Sequence, residues 1–152
     1  MIIYRRWLLK IIIEELIDGD EEQVVIKCHQ ITLEIQNFIY YFKTPDILIG
    51  YYGKEIHRIN KIEISFIETV DNKTFICCDS KVYESKNKLY ELEELLIGNN
   101  FLRVSKSVIV NLSKIKKIIP ALSGRFQAVL MNDLNVIISR QYVNDLKKKL
   151  GI

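Results

Sequence analysis

Phe101–Ile119 reads FLRVSKSVIVNLSKIKKII, and two interleaved residue types in it decide how the chain is read. Phe101, Leu102, Val104, Val108, Ile109, Val110, Leu112, Ile115, Ile118 and Ile119 are apolar, and several are β-branched, as a pleated, half-buried surface favours. Arg103, Lys106, Lys114, Lys116 and Lys117 are set among them, with no acid between. A buried strand requires the first set. A surface turned toward a polyanion requires the second. The expectation is a β scaffold whose loops carry cations and hydroxyls outward.

The charge distribution along the chain extends that reading. Residues 1–100 hold 12 Lys and Arg against 17 Asp and Glu, a net of −5, whereas residues 101–152 hold 10 against 2, a net of +8. An acidic front and a basic back mark where a polyanion would sit. The 152 residues amount to one domain, or one domain with a small attachment, long enough to bury a core. Nearly half are apolar, which argues against disorder. No apolar run reaches the roughly 18 residues of a membrane helix. In MIIYRRWLLKIII, Lys10 interrupts the apolar run, Glu14 and Glu15 follow, and no small-residue cleavage site appears. The chain is therefore expected to be cytoplasmic, with Cys28, Cys77 and Cys78 as reduced thiols.

In chain order, Leu8–Ile17 suits either a strand or a helix, and its isoleucines favour a strand. Asp18-Gly19-Asp20 reads as a turn and Gln23–Cys28 as a short strand. Ile31, Ile35, Phe38, Ile39 and Phe42 fall at helical spacing, with Thr32 as N-cap and Thr44-Pro45 as the stop. Residues 1–45 thus read as a β-β-α attachment whose apolar helix face covers either the rest of the chain or another copy of it, as in a homodimer, and 46–152 as a second, mainly β domain. There Ile47–Tyr52 and Glu55–Ile59 flank Gly53-Lys54 as a hairpin. Strands are expected from Ile62 to about Val70, over Thr74–Cys78, and over Val82–Ser85. Leu89, Leu92, Leu95 and Leu96 mark a helix closed by Gly98 as its C′ residue. Phe126–Met131 pairs with Val136–Ser139 across Asn132-Asp133. Arg140–Leu150 is a terminal helix with Tyr142, Val143, Leu146 and Leu150 inward.

The order of these elements resembles the LytTR-type DNA-binding domain family of bacterial transcriptional regulators. The motif that carries the likeness is Phe101-x-Arg103-x-Ser105-Lys106-Ser107-x-Ile109-Val110-Asn111-x-x-x-Ile115, followed after a hairpin by Ile138-Ser139-Arg140-x-Tyr142 and a helix containing Leu146. Ile62–Glu68 (IEISFIE), the Asp71-Asn72 turn and Leu89-x-x-Leu92-Glu93 also fit. The likeness covers about Ile47 to Leu150. It implies an α+β, mainly β fold, an elongated stack of small antiparallel sheets with short helices. It also implies that loops, rather than a recognition helix, read successive major grooves at repeated half-sites. The positions matching the family's readers are Thr74, with Lys73 beside it, Lys106 and Arg140. The attachment at 1–45 is similar to that of stand-alone members without a receiver domain. In similar small regulators a neighbouring membrane protein can hold the regulator inactive.

The chemistry of these residues suits double-stranded DNA as partner. Arg140 offers a planar fork to guanine O6 and N7, a pairing worth roughly 1–3 kcal/mol of discrimination. Lys106 is suited to guanine or to phosphate. Ser105 and Ser107 can donate to phosphate oxygens or cap their own turn. Arg103 is either a phosphate contact or a strand-edge charge, and Lys114 is expected to meet phosphate. Asn111 is expected to hold a turn. Adjacent Cys77 and Cys78 point to opposite faces of a strand and cannot form the spaced chelate of a zinc site. Neither GxGxxG, GxxxxGK[ST], GxSxG nor HExxH occurs. No enzyme activity, cofactor, metal or small-molecule substrate is expected. The alternative is a protein-interaction module that antagonises or pairs with another regulator.

Overall fold

The computed structural model describes residues 2–6, 9–17, 19, 23–43 and 46–152. The chain divides into two compact units, residues 1–31 and 32–152. In the first, β1 (Ile2–Arg6) pairs antiparallel with β2 (Leu9–Ile13), from Ile2 opposite Ile13 to Arg6 opposite Leu9. The expected strand in the isoleucine run is therefore present, but shorter, and residues 14–17 beyond it are exposed without regular structure. Residues 23–28 are also exposed and irregular rather than a strand. The partner of β2 is instead the adjacent β1, which needs only a short loop to close. Asp18, Asp20, Thr44 and Pro45, cited above as turn and stop signals, lie outside the described residues.

The second unit opens with α1 (Leu33–Lys43), where the Thr32 hydroxyl accepts the Ile35 N–H at 3.4 Å. A seven-stranded antiparallel sheet follows. Its strands are β3 (Ile47–Tyr52), β4 (Glu55–Asn60), β5 (Ile64–Val70), β6 (Lys73–Cys78), β7 (Val82–Ser85), β8 (Phe101–Arg103) and β9 (Val108–Asn111), in the order β4-β3-β7-β6-β5-β9-β8. The β3–β4 hairpin turns through Gly53 at φ 61°, and the β5–β6 hairpin through Asp71 and Asn72 at 48° and 63°. Both carry the residue types that tolerate left-handed backbone. Ile62 lies in a 3-10 turn, Lys61–Glu63, between β4 and β5 rather than beginning β5. Gly50 is needed for space, because a Cβ there would lie 2.5 Å from Ile59 and 2.7 Å from Tyr83.

Strand alternation gives this sheet two buried faces. On one, Leu48, Ile59, Ile64, Ile67, Ile76 and Ile109 pack with Leu89 and Leu92 of α2 (Leu89–Leu95) and with Leu96. On the other, Val110 and Val104 pack with a three-stranded sheet and the last helix. That sheet is β10 (Ile115–Pro120), β11 (Phe126–Leu130) and β12 (Asn135–Ile138), in sequential order. It contributes Ala128, Leu130, Val136 and Ile138, while α3 (Val143–Leu150) adds Val143 and Leu146. Adjacent Ile109 and Val110 thus serve opposite cores. Three details differ from the sequence reading. Gly98, at φ 78°, follows a helix that already ends at Leu95 with Leu96 as C-cap. The terminal helix begins as a separate 3-10 turn over Arg140–Tyr142. Leu150 is exposed, because it lies beyond the part of α3 that meets the sheet. The mainly β architecture with short helices is otherwise the expected one.

Candidate nucleic-acid interface

Three segments meet at one end of the second core. The first is the β8–β9 loop. Val104 is fully buried and its N–H donates to the Val108 carbonyl at 3.0 Å, closing the loop. The Ser107 N–H donates to the Ser105 hydroxyl at 3.1 Å, and the Thr69 N–H donates to the Ser107 carbonyl at 2.8 Å. The loop is thereby braced internally and against β5, with Lys106 exposed at its tip.

The second segment follows β12. The Ser139 N–H donates to the Val104 carbonyl at 2.9 Å, and the Tyr142 N–H to the Ser139 carbonyl at 2.9 Å. Arg140 emerges exposed from this turn. The third is the β10–β11 connection, where Ser123 and Gly124 take φ of 61° and 72° and the Ala121 N–H donates to the Arg125 carbonyl at 2.9 Å. A Cβ on Gly124 would touch Arg140 Cγ and Cδ at 3.4 Å, so the bare glycine supports the arginine stem.

Together these segments line one groove. Lys106, Arg125 and Arg140 supply its cations, Ser105, Ser107, Ser123 and Ser139 its hydroxyls, and Gln141 and Asn144 its amides. No carboxylate lines it, and none of its three cations forms a salt bridge among the described residues. Uncompensated cations beside hydroxyl and amide donors are the chemistry that phosphate oxygens and base edges require.

The structure distributes the residues singled out from sequence unevenly. Lys106, Arg140, Ser105 and Ser107 share the groove. Lys73 is exposed on the β5–β6 turn, with Glu84 at 3.4 Å. That turn lies at the same end of the large sheet as the Lys106 loop, since Thr69 pairs with Thr74 and also binds Ser107. Thr74 itself is only 3% exposed, so its side chain packs inside. The Arg103 guanidinium is turned inward, as a donor to Glu93 at 2.8 Å, to the Ser105 carbonyl at 2.7 Å and to the Lys106 carbonyl. Lys114, expected to meet phosphate, instead donates to Asp79 at 3.0 Å at the other end of β6. Asn111 holds a turn as expected. Its amide donates to the Ile64 carbonyl at 2.8 Å and its oxygen accepts the Ser113 N–H at 3.0 Å.

Sequence reasoning passed over Ser123, Arg125, Gln141 and Asn144. The usable signal was Ser123-Gly124-Arg125 between two strands, a turn pair followed by a cation inside the basic third. Other chemistry is sparse. Among the described residues no cluster of His, Cys, Asp or Glu could hold a metal. Burial pushes the Cys77 thiol up to about 12 and Cys78 to about 11, far from a reactive thiolate.

Comparison with known proteins agrees with this geometry. The model of the LytTr DNA-binding domain matches residues 54–151. Uncharacterized HTH-type transcriptional regulators of Staphylococcus aureus, strains NCTC 8325 / PS 47 and COL, are each 32% identical over 105 residues, covering 69% of this chain and 71% of theirs. In this chain α2 and α3 belong to opposite cores, so the two do not form a helix-turn-helix. The LytTr DNA-binding domain of a methyl-accepting/DNA response regulator from Bacillus cereus superposes with a TM-score of 0.68 at 26% identity, covering 71% of this chain and 99% of that one. On its family match, its relatives and its fold, the chain belongs to the LytTr DNA-binding domain family.

Proposed function

We propose that the protein is a transcriptional regulator that binds double-stranded DNA sequence-specifically. Its loops would read successive major grooves at repeated half-sites. The observation that carries this reading is the acid-free groove shared by Lys106, Arg125 and Arg140. Arg140, extended over Gly124, suits bidentate reading of a guanine. Lys106 suits guanine or phosphate. Arg125, Ser105, Ser107 and Ser123 suit phosphate. Lys73, on the neighbouring turn, suits phosphate. Selection of bound duplexes from a random pool, followed by gel shifts at two salt concentrations, tests the proposal. Equal affinity for all sequences would remove the specificity. Affinity indifferent to salt would remove the phosphate contacts, since each adds about −0.9 to the log–log slope.

A second role, pairing of two copies or of this chain with another regulator, is compatible with the first. Its support is the apolar surface of α1, where Leu33 is 72% exposed. A dimer would fix half-site spacing. Sedimentation across a concentration series, with Leu33→Asp as control, should show association in the parent and loss of it in the variant. A monomer at all concentrations would remove the pairing. The setting consistent with such a role is the cytoplasm, and no described helix is long and apolar enough to cross a membrane.

A further inference from the structure

Arg103 lies among the cations of the basic third yet points its donors into the protein. We infer that Glu93 and Arg103 are a positioning pair that fixes the backbone on both sides of Lys106, and that Arg103 does not itself touch DNA. The inference rests on the interface proposed above and adds two residues to it that lie behind the contact surface.

The geometry is specific to a guanidinium. Nε donates to the Ser105 carbonyl at 2.7 Å, Nη2 donates to the Lys106 carbonyl, and Nη1 donates to Glu93 Oε2 at 2.8 Å. One planar group therefore holds two consecutive carbonyls, which fixes the orientation of the peptide plane between them. Lysine, with its donors on a single atom, cannot reproduce that spacing. Glu93 comes from α2, whose Leu89 and Leu92 are 7% and 1% exposed in the first core. The loop is thus referenced to a packed helix as well as to its own hairpin and to β5. Because Glu93 neutralises the guanidinium and its side chain is only 20% exposed, Arg103 adds little to the outward field. A loose loop would still present Lys106, but over a range of positions, and discrimination depends on placement more than attraction does.

The test uses Glu93→Gln and Arg103→Lys in the full chain. In free protein, hydrogen exchange of the Ser105 and Ser107 amides should accelerate roughly ten- to hundredfold in both, the scale of a charge-assisted hydrogen bond. Core amides of Ile67 and Ile109 should keep their protection. Unchanged loop exchange in both variants overturns the inference. So does equal acceleration of loop and core, which would mean that the pair holds the fold. With a selected duplex, both variants should lose affinity by a similar factor, and the double variant should lose no more than either alone. The salt slope should stay that of the parent. If Glu93→Gln is silent while Arg103→Ala lowers the slope by about 0.9, Arg103 is a phosphate ligand and the inference falls. If the parent shows no sequence preference although the loop amides respond, the DNA reading fails and the clamp on the loop stands.

Discussion

The Ser139 N–H donates to the Val104 carbonyl at 2.9 Å, and this bond ties the segment carrying Arg140 to the loop carrying Lys106. No side chain takes part, so the sequence motif does not announce it. Ser139 sits at φ −66°, the angle a proline ring imposes. Ser139→Pro therefore removes the donor while asking for no change in that torsion. It leaves a carbonyl of fully buried Val104 without its partner, at a cost of about 1–3 kcal/mol. Thermal melting should report that loss. Gel shifts should show a narrowed gap between selected and random duplexes at an unchanged salt slope. An unaltered gap would mean that the two segments are registered by something else.

The three groove cations should separate into readers and anchors. Arg140→Ala is expected to relax preference at one base pair, by roughly 1–3 kcal/mol, because it removes a planar fork. Arg125→Ala should weaken all duplexes alike and lower the salt slope by about 0.9. Binding titrations at several salt concentrations on matched and mismatched duplexes distinguish the two. The opposite assignment, with Arg125 setting preference, would show that the β10–β11 loop enters the groove and the Arg140 turn lies on the backbone.

Lys114 should behave differently from all three. Asp79 receives the Ser65 hydroxyl at 2.7 Å and Lys114 at 3.0 Å, and these bonds, Ser65 first, hold its carboxyl below the ordinary carboxylate range. A depressed folded value stabilises the fold above the unfolded pKa of about 4 and loses that contribution as pH falls through the folded value. Asp79 is exposed, so the contribution is small. Ser65→Ala should lower the urea midpoint at pH 7 by more than it does below pH 4. Lys114→Ala should leave the salt slope of DNA binding unchanged. A drop of about 0.9 would place Lys114 on phosphate after all.

How much was legible follows from how each feature is encoded. The β3–β4 and β5–β6 hairpins were readable because Gly53 and Asp71-Asn72 are local signals with a fixed backbone meaning. The two-faced sheet was implicit in the adjacency of Ile109 and Val110, since alternation alone sends them to opposite cores. Gln23–Cys28 misled because β-branched residues make a strand possible without providing a partner for it. Arg103 and Lys114 misled because sequence gives a charge but not its neighbour. Glu93 lies ten positions from Arg103 and Asp79 lies 35 from Lys114. The groove joins residues 105–107, 123–125 and 139–144, three stretches brought together by the β10-β11-β12 sheet and by the Ser139–Val104 backbone bond.

The cysteines give a prediction independent of DNA. Cys77 is 4% exposed and Cys78 packs against the first core, whereas Cys28 is exposed. Burial is the main reason the two β6 thiols are pushed up to about 12 and about 11, with Glu68 adding to the first and Glu63 to the second. A raised thiol value means that the folded state disfavours the thiolate. Stability is then full below the unfolded value of about 8.5 and is lost as pH rises toward the folded values. At pH 8 the thiolate, which is the reacting species, is on the order of a thousandth of Cys78 and less of Cys77. Iodoacetamide should therefore label Cys28 first, followed by Cys77 and Cys78 at least a hundredfold more slowly (roughly). Both should become reactive together when urea unfolds the domain. Peptide mass mapping over time reads this directly. Early labelling of Cys78 in native protein would show that β6 opens locally at its Asp79 end, and that this end of the sheet is less firmly closed than its packing indicates.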